Sequence, residues 1–193
     1  ADFVERNDLI LVSDEIHCNI VLAENAQHLP IAQVVPTIAN RTISLFAATK
    51  TYNIPGLGCA AAIIPDPQLR AQFQDQEAGL VSGIGPLCVV ASETAFNDRS
   101  NWLEGLLAQL RSNVQKLEQV VGTRMTPVEA TYLAWVNIAD LGINEVEAHF
   151  EAHGLGISDG AQFGHPDYIR FNFACPDALL TEGLQRLGRA LSA

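Results

Sequence analysis

No apolar stretch in this chain reaches the ~18 residues that a bilayer-spanning helix needs. No basic-then-apolar leader opens it either, so neither a membrane partner nor secretion is expected. Positive charge is scarce: 11 Lys+Arg face 22 Asp+Glu, a formal net charge of −11, and the pI is near 4.7. Nucleic acid and anionic lipid would both repel that field, so neither is expected as a partner. The acidity is spread along the chain and reads as a solvated surface. Cysteine is sparse as well. Cys18, Cys59, Cys88 and Cys175 lie far apart, and no C-x-x-C pair offers a zinc site. They read as reduced, buried thiols of a cytoplasmic protein. No G-x-S-x-G string is present, which argues against a serine-hydrolase elbow. There is no internal repeat and no low-complexity tract.

What remains is a core-forming composition. With 193 residues and 48% of them hydrophobic, the chain can bury a core in one or two compact units. Residues 1–8 read as the close of a helix, without an initiator methionine, so the chain is expected to be a fragment. Apolar runs at 9–12, 42–48 and 58–64 suit buried strands; the first two end in polar residues, as strands of a parallel sheet do. Ligands collect at the carboxyl ends of such strands. Residues 67–76 and 88–96 read as helices around the bend Ser82-Gly83-Ile84-Gly85-Pro86. The clearest helix carries Leu103, Leu106, Leu107, Leu110, Val114, Leu117 and Val121 at spacings of three and four. Asn101 with Glu104 resembles a capping box at its start, and Gly122 suits its end. Beyond the turn at Thr126-Pro127 the order reads strand (132–138), helix (144–153), strand (168–173) and a last helix capped by Asp177.

Four polar residues stand in otherwise apolar surroundings. Lys50, one of two lysines, follows Phe46-Ala47-Ala48-Thr49. It is either a solvated strand-end lysine or a nucleophilic, Schiff-base amine walled by apolar neighbours. Asp14 is either a turn cap or the carboxylate that keeps an aromatic nitrogen base protonated. His17 could donate to an oxygen on the same ring, or be a satisfied, partly buried histidine. In Tyr168-Ile169-Arg170-Phe171-Asn172-Phe173 the period of two puts Arg170 opposite the apolar face. From there it could grip a carboxylate with two hydrogen bonds, or close an internal salt bridge. His149 and His153 have helical metal spacing but no evident third ligand. Gly56-x-Gly58-x-x-Ala61 lacks the strand before and helix after that a dinucleotide fingerprint requires.

Together, Ser13-Asp14-Glu15-Ile16-His17, Ala48-Thr49-Lys50-Thr51-Tyr52-Asn53-Ile54-Pro55-Gly56-Leu57 and Tyr168-Ile169-Arg170-Phe171-Asn172-Phe173-Ala174-Cys175-Pro176 form a specific set. The set resembles the fold-type-I pyridoxal-phosphate enzymes of the class I/II aminotransferase superfamily. Within it, the strings are most similar to the MalY/PatB group of cystathionine β-lyase type. The resemblance implies an α/β fold: residues 1–100 as the remaining part of a large, mostly parallel pyridoxal-phosphate-binding domain, 101–122 as a long linking helix, and 123–193 as a small α+β C-terminal domain. It implies pyridoxal 5'-phosphate as cofactor. Lys50 would hold it covalently and shuttle the Cα proton, Asp14 would pair with the pyridinium nitrogen, and His17 would lie near the phenolic oxygen. Arg170 would hold the substrate's α-carboxylate.

Many members of the superfamily place a phosphate-binding Ser three residues before the lysine and an Arg eight after it. Here those positions are Ala47 and Gly58, leaving Thr49 as the nearest hydroxyl. The family's chain is also about twice as long, so the fragment alone is expected to bind the cofactor poorly. The implied reaction is cleavage of L-cystathionine or a related cysteine S-conjugate to thiol, pyruvate and ammonia, in a protein that is a homodimer at full length. Transamination of an amino acid is the alternative. A non-catalytic module that binds a transcription regulator is a further one.

Overall fold

The computed structural model describes residues 1–77, 79 and 83–193. Ser82, in the expected glycine-rich bend, lies outside them. The chain folds into two units: Ala1–Asn19 with Gln27–Leu103, and Ile20–Ala26 with Glu104–Ala193.

The first unit opens with helix α1 (Asp2–Arg6) and strand β1 (Leu11–Asp14). A short helix α2 (Ile31–Val34) and a 3-10 segment (Pro36–Arg41) lead into β2 (Thr42–Ala47), and β3 (Ala60–Ile63) follows. Helices α3 (Pro67–Glu77) and α4 (Pro86–Phe96) come next, and α5 (Trp102–Val121) begins in this unit. The sheet order is β1-β2-β3. β1 and β2 are parallel, in register from Leu11↔Thr42 to Asp14↔Leu45, as the apolar runs with polar ends predict. β3 departs from expectation twice. It runs antiparallel to β2, and all four of its residues are exposed. Along β1, Val12 is exposed too, and Ile10 before it. Burial in this sheet concentrates on the start of β2, at Thr42, Ile43 and Ser44. A continuous apolar run signals strand but does not distinguish a central position from an edge, which explains the misplaced burial.

The second unit holds the larger part of α5, then β4 (Leu133–Asn137), α6 (Val146–Ala152), β5 (Ser158–Asp159), β6 (Tyr168–Asn172) and α7 (Asp177–Ala190). Its three strands are antiparallel in the order β4-β6-β5, so β6 is central. Ile169, Phe171 and Phe173 point into the core with Ala134 and Val136 of β4, as the period of two requires. Leu110 and Leu117 of α5, Phe150 of α6, and Leu180 and Leu187 of α7 close over them. Burying each such side chain contributes about 1.5–3 kcal/mol. Asn113 of α5 is fully buried among them, and its amide donates to the carbonyls of Phe173 (2.8 Å) and Cys175 (3.1 Å). That fixes the end of β6 against α5, because an unmet buried carbonyl is costly. Ile20–Ala26 joins this unit through a bridge at Val21↔Ala130, and Arg111 Nε donates to Leu22 O at 2.8 Å.

The helix ends differ from expectation in detail. The first backbone N–H of α5, Trp102, is met by the Ser100 hydroxyl at 3.2 Å, which in turn bonds Asp98, so Ser100 takes the role expected of Asn101. Asp177 is the first helical residue of α7, not its cap; its carboxylate pairs with Lys116. Gly122 ends α5 at φ +56°, the left-handed geometry that favours glycine. The cysteines are free, as expected, but half-buried, not fully buried. Among the described residues no helix is long and apolar enough to cross a membrane.

Candidate active site

Because β1 and β2 run parallel, their carboxyl ends share one edge of the sheet. Asp14 is the last residue of β1. Its side chain is turned outward, and Oδ1 accepts from the Ile16 N–H at 3.3 Å, which shapes the turn that follows. The Cys18 N–H closes that turn onto the Glu15 carbonyl at 3.0 Å, with half-buried His17 inside it. After β2 the chain coils at once. The Tyr52 N–H reaches the Ala48 carbonyl (2.9 Å), the Ile54 N–H reaches Thr49 (3.1 Å), and Asn53 adopts φ +53°. This coil carries Thr49 and Lys50, both half-buried. The Tyr52 ring stacks on Trp102 at 5.3 Å, bracing the coil from beyond Lys50.

These residues act on one another. Burial is the main reason that the His17 imidazole titrates below its ordinary value; the Lys50 ammonium lowers it further, and the Asp14 carboxylate opposes both. An amine, an imidazole and a carboxylate therefore share one local field. The neutral ring of His17 limits the positive charge gathered beside Lys50.

Two further features were not legible as site components. Glu15, next to Asp14 but facing the other way, is buried, and its Oε2 meets His28 Nε2 at 2.7 Å. Its backbone N–H continues the ladder to the Leu45 carbonyl at 2.9 Å. The pair ties the exit of β1 to the place where the chain re-enters this unit. Thr51, next to Lys50 in sequence, is also buried, and its Oγ1 has no hydrogen-bond partner among the described residues.

Arg170 lies in the second unit, on the central strand β6, opposite Trp135 of β4 and Ser158 of β5. Among the described residues it has no carboxylate partner, which removes the internal salt bridge considered for it. His149 and His153 spend a ring nitrogen each on backbone carbonyls, those of Ala190 and His149, both at 2.8 Å.

The first-unit set suits the chemistry of pyridoxal phosphate. A carboxylate, an imidazole and an amine share one local field at the ends of β1 and β2, and the residue after the amine carries a buried hydroxyl with no partner among the described residues. A single β1–β2 edge holding such a set is the arrangement of an α/β enzyme that binds at strand ends.

The chain belongs to the aminotransferase class I and II family, whose model matches residues 1–187. It is 31% identical over 199 residues to cystathionine beta-lyase PatB of Bacillus subtilis, covering 97% of this chain and 51% of PatB. The crystal structure of OvoB is 41% identical with a TM-score of 0.93, covering 100% of this chain and 52% of OvoB. The structure of cystalysin from Treponema denticola, which contains a pyridoxal 5'-phosphate cofactor, is 28% identical with a TM-score of 0.87, covering 99% of this chain and 51% of cystalysin. The chain thus spans about half the length of the curated relatives it matches. The family and fold expected from the three sequence strings are those found.

Proposed function

We propose that this chain is part of a pyridoxal 5'-phosphate-dependent carbon–sulfur β-lyase acting on L-cystathionine or a related cysteine S-conjugate. The observation that carries the reading is the shared field of Asp14, His17 and Lys50 at the carboxyl edge of β1 and β2. Relatives named as cystathionine β-lyases support the choice of reaction.

When bound, the cofactor supplies an electron-withdrawing ring that takes up the electron pair left on Cα. Asp14 keeps the ring nitrogen protonated. His17, neutral near pH 7, donates a hydrogen bond to the ring oxygen without adding a second cation beside Lys50. The Thr49 hydroxyl contributes to phosphate binding, since Ala47 and Gly58 offer no polar side chain. Lys50 Nζ anchors the cofactor and later receives the Cα proton as a general base. Arg170 receives the substrate's α-carboxylate in a bidentate grip, which orients the Cα–H bond for removal. At full length the protein is proposed to act as a homodimer.

The test is to feed L-cystathionine to the full-length holoenzyme. Pyruvate released without added keto acid is expected. A strict need for keto acid would make the enzyme a transaminase, and no turnover by either route would end the reading.

A further inference from the structure

Arg170 is a receiver only if its guanidinium is held still with its donors outward. The structure supplies two direct supports from residues outside the quoted sequence strings. The guanidinium carbon lies 4.4 Å from the centroid of the Phe163 ring. Nη2 donates to Ser158 Oγ at 3.2 Å. Phe163 in turn meets Trp135 edge-on (5.9 Å, 76°), and Trp135 stacks on Tyr168 (5.3 Å, 8°). The turn that brings Phe163 there is tightly made: Asp159 accepts from the Ala161 N–H at 2.8 Å, and Gly164 closes it at φ +82°. Gly160 has no room for a Cβ against the carbonyls of His165 and Tyr168, so the backbone there is fixed by close packing.

We propose that Phe163 is a positioning residue for carboxylate capture, the platform on which Arg170 lies. The inference rests on the reading of Arg170 as the carboxylate receiver. An aromatic face attracts a guanidinium and also dictates its plane. With its guanidinium carbon over Phe163 and one hydrogen of Nη2 engaged by Ser158, the Nε, Nη1 and second Nη2 donors are left without a partner among the described residues, so a two-bond fork through Nη2 stays open. Those donors are the ones available to a ligand carboxylate. A leucine at position 163 would keep apolar contact and lose the plane-setting face; a tyrosine would keep both.

The experiment uses the holoenzyme and two readouts: substrate kinetics, and calorimetric affinity for propionate, which carries a carboxylate but no amine. Phe163→Leu is expected to raise KM and the propionate Kd together by roughly tenfold, with kcat changed less than twofold. Phe163→Tyr is expected to restore both. In an Arg170→Ala background Phe163→Leu should have no further effect on propionate, because its action runs through Arg170. If Arg170→Ala weakens propionate binding while Phe163→Leu does not, the platform is overturned and the receiver stands. An effect of Phe163→Leu that persists undiminished without Arg170 also overturns the platform. If Arg170→Ala changes neither readout, the receiver reading fails and takes the platform with it.

Discussion

The Glu15–His28 pair holds the end of β1, and its removal has a consequence that can be worked out. The Glu15 side chain is 2% exposed and that of His28 34% exposed. Among the described residues Glu15 Oε1 already lacks a hydrogen-bond partner, so His28→Ala leaves both oxygens of a buried carboxylate unmet there. Breaking a buried pair by deleting one partner costs about 3–5 kcal/mol. Water can enter where one-third-exposed His28 stood, which places the expected loss near the lower end, about 3 kcal/mol. For a chain of this size that is a fall in melting temperature of about 6–12 °C. Glu15→Gln removes the charge but keeps shape and a polar contact, and should cost about 1 kcal/mol. The double variant His28→Ala/Glu15→Gln should then be more stable than His28→Ala alone, because no buried charge is left stranded. Denaturant melts of the purified variants, followed by circular dichroism, read all three. A single His28→Ala loss no larger than that of Glu15→Gln, with no recovery in the double variant, would refute the reasoning.

The shared field makes a two-way prediction for His17. Lys50→Ala should move its titration up and Asp14→Asn should move it further down, both read by NMR of the imidazole in cofactor-free protein; no movement in either would mean the three groups do not face one another. Since the folded value lies below the ordinary 6.5, the unfolded chain binds more protons in that window. The stability contributed by the neutral ring is present above pH 6.5 and is lost as pH falls through the folded value, a loss that His17→Gln should abolish in acid melts. Asp14→Asn should leave the cofactor bound yet lower turnover by orders of magnitude; full activity in that variant would remove the pyridinium argument.

Much of the fold was legible because local and global signals agree in it. The polar ends of two apolar runs give the parallel pair β1–β2, and the leucine stripes give α5 and α7. The buried face of β6 follows from its alternation. Illegible features depend on partners distant in sequence. The antiparallel sense of β3 and the two-residue β5 are set by what lies beside them. The excursion of Ile20–Ala26 into the second unit is held by Ala130 and Arg111, some 90 to 110 positions on, and nothing within the segment announces it. At the candidate site, Asp14, His17 and Lys50 stood out as polar residues closing apolar runs. Their supports did not. His28 sits in a polar loop with no periodicity, and Phe163 lies between glycines, where an aromatic ring gives no hint of the cation above it.

The central claim is that Lys50 is the amine that carries pyridoxal phosphate. Borohydride reduction of the cofactor-loaded protein, followed by protease digestion and mass spectrometry, tests it most directly. The account predicts a single pyridoxyl-phosphate adduct, on the peptide that bears Lys50, and none on Lys116, the other lysine of this chain. A fully loaded protein whose adduct lies elsewhere, or one that reduction leaves unmodified at Lys50, would contradict it.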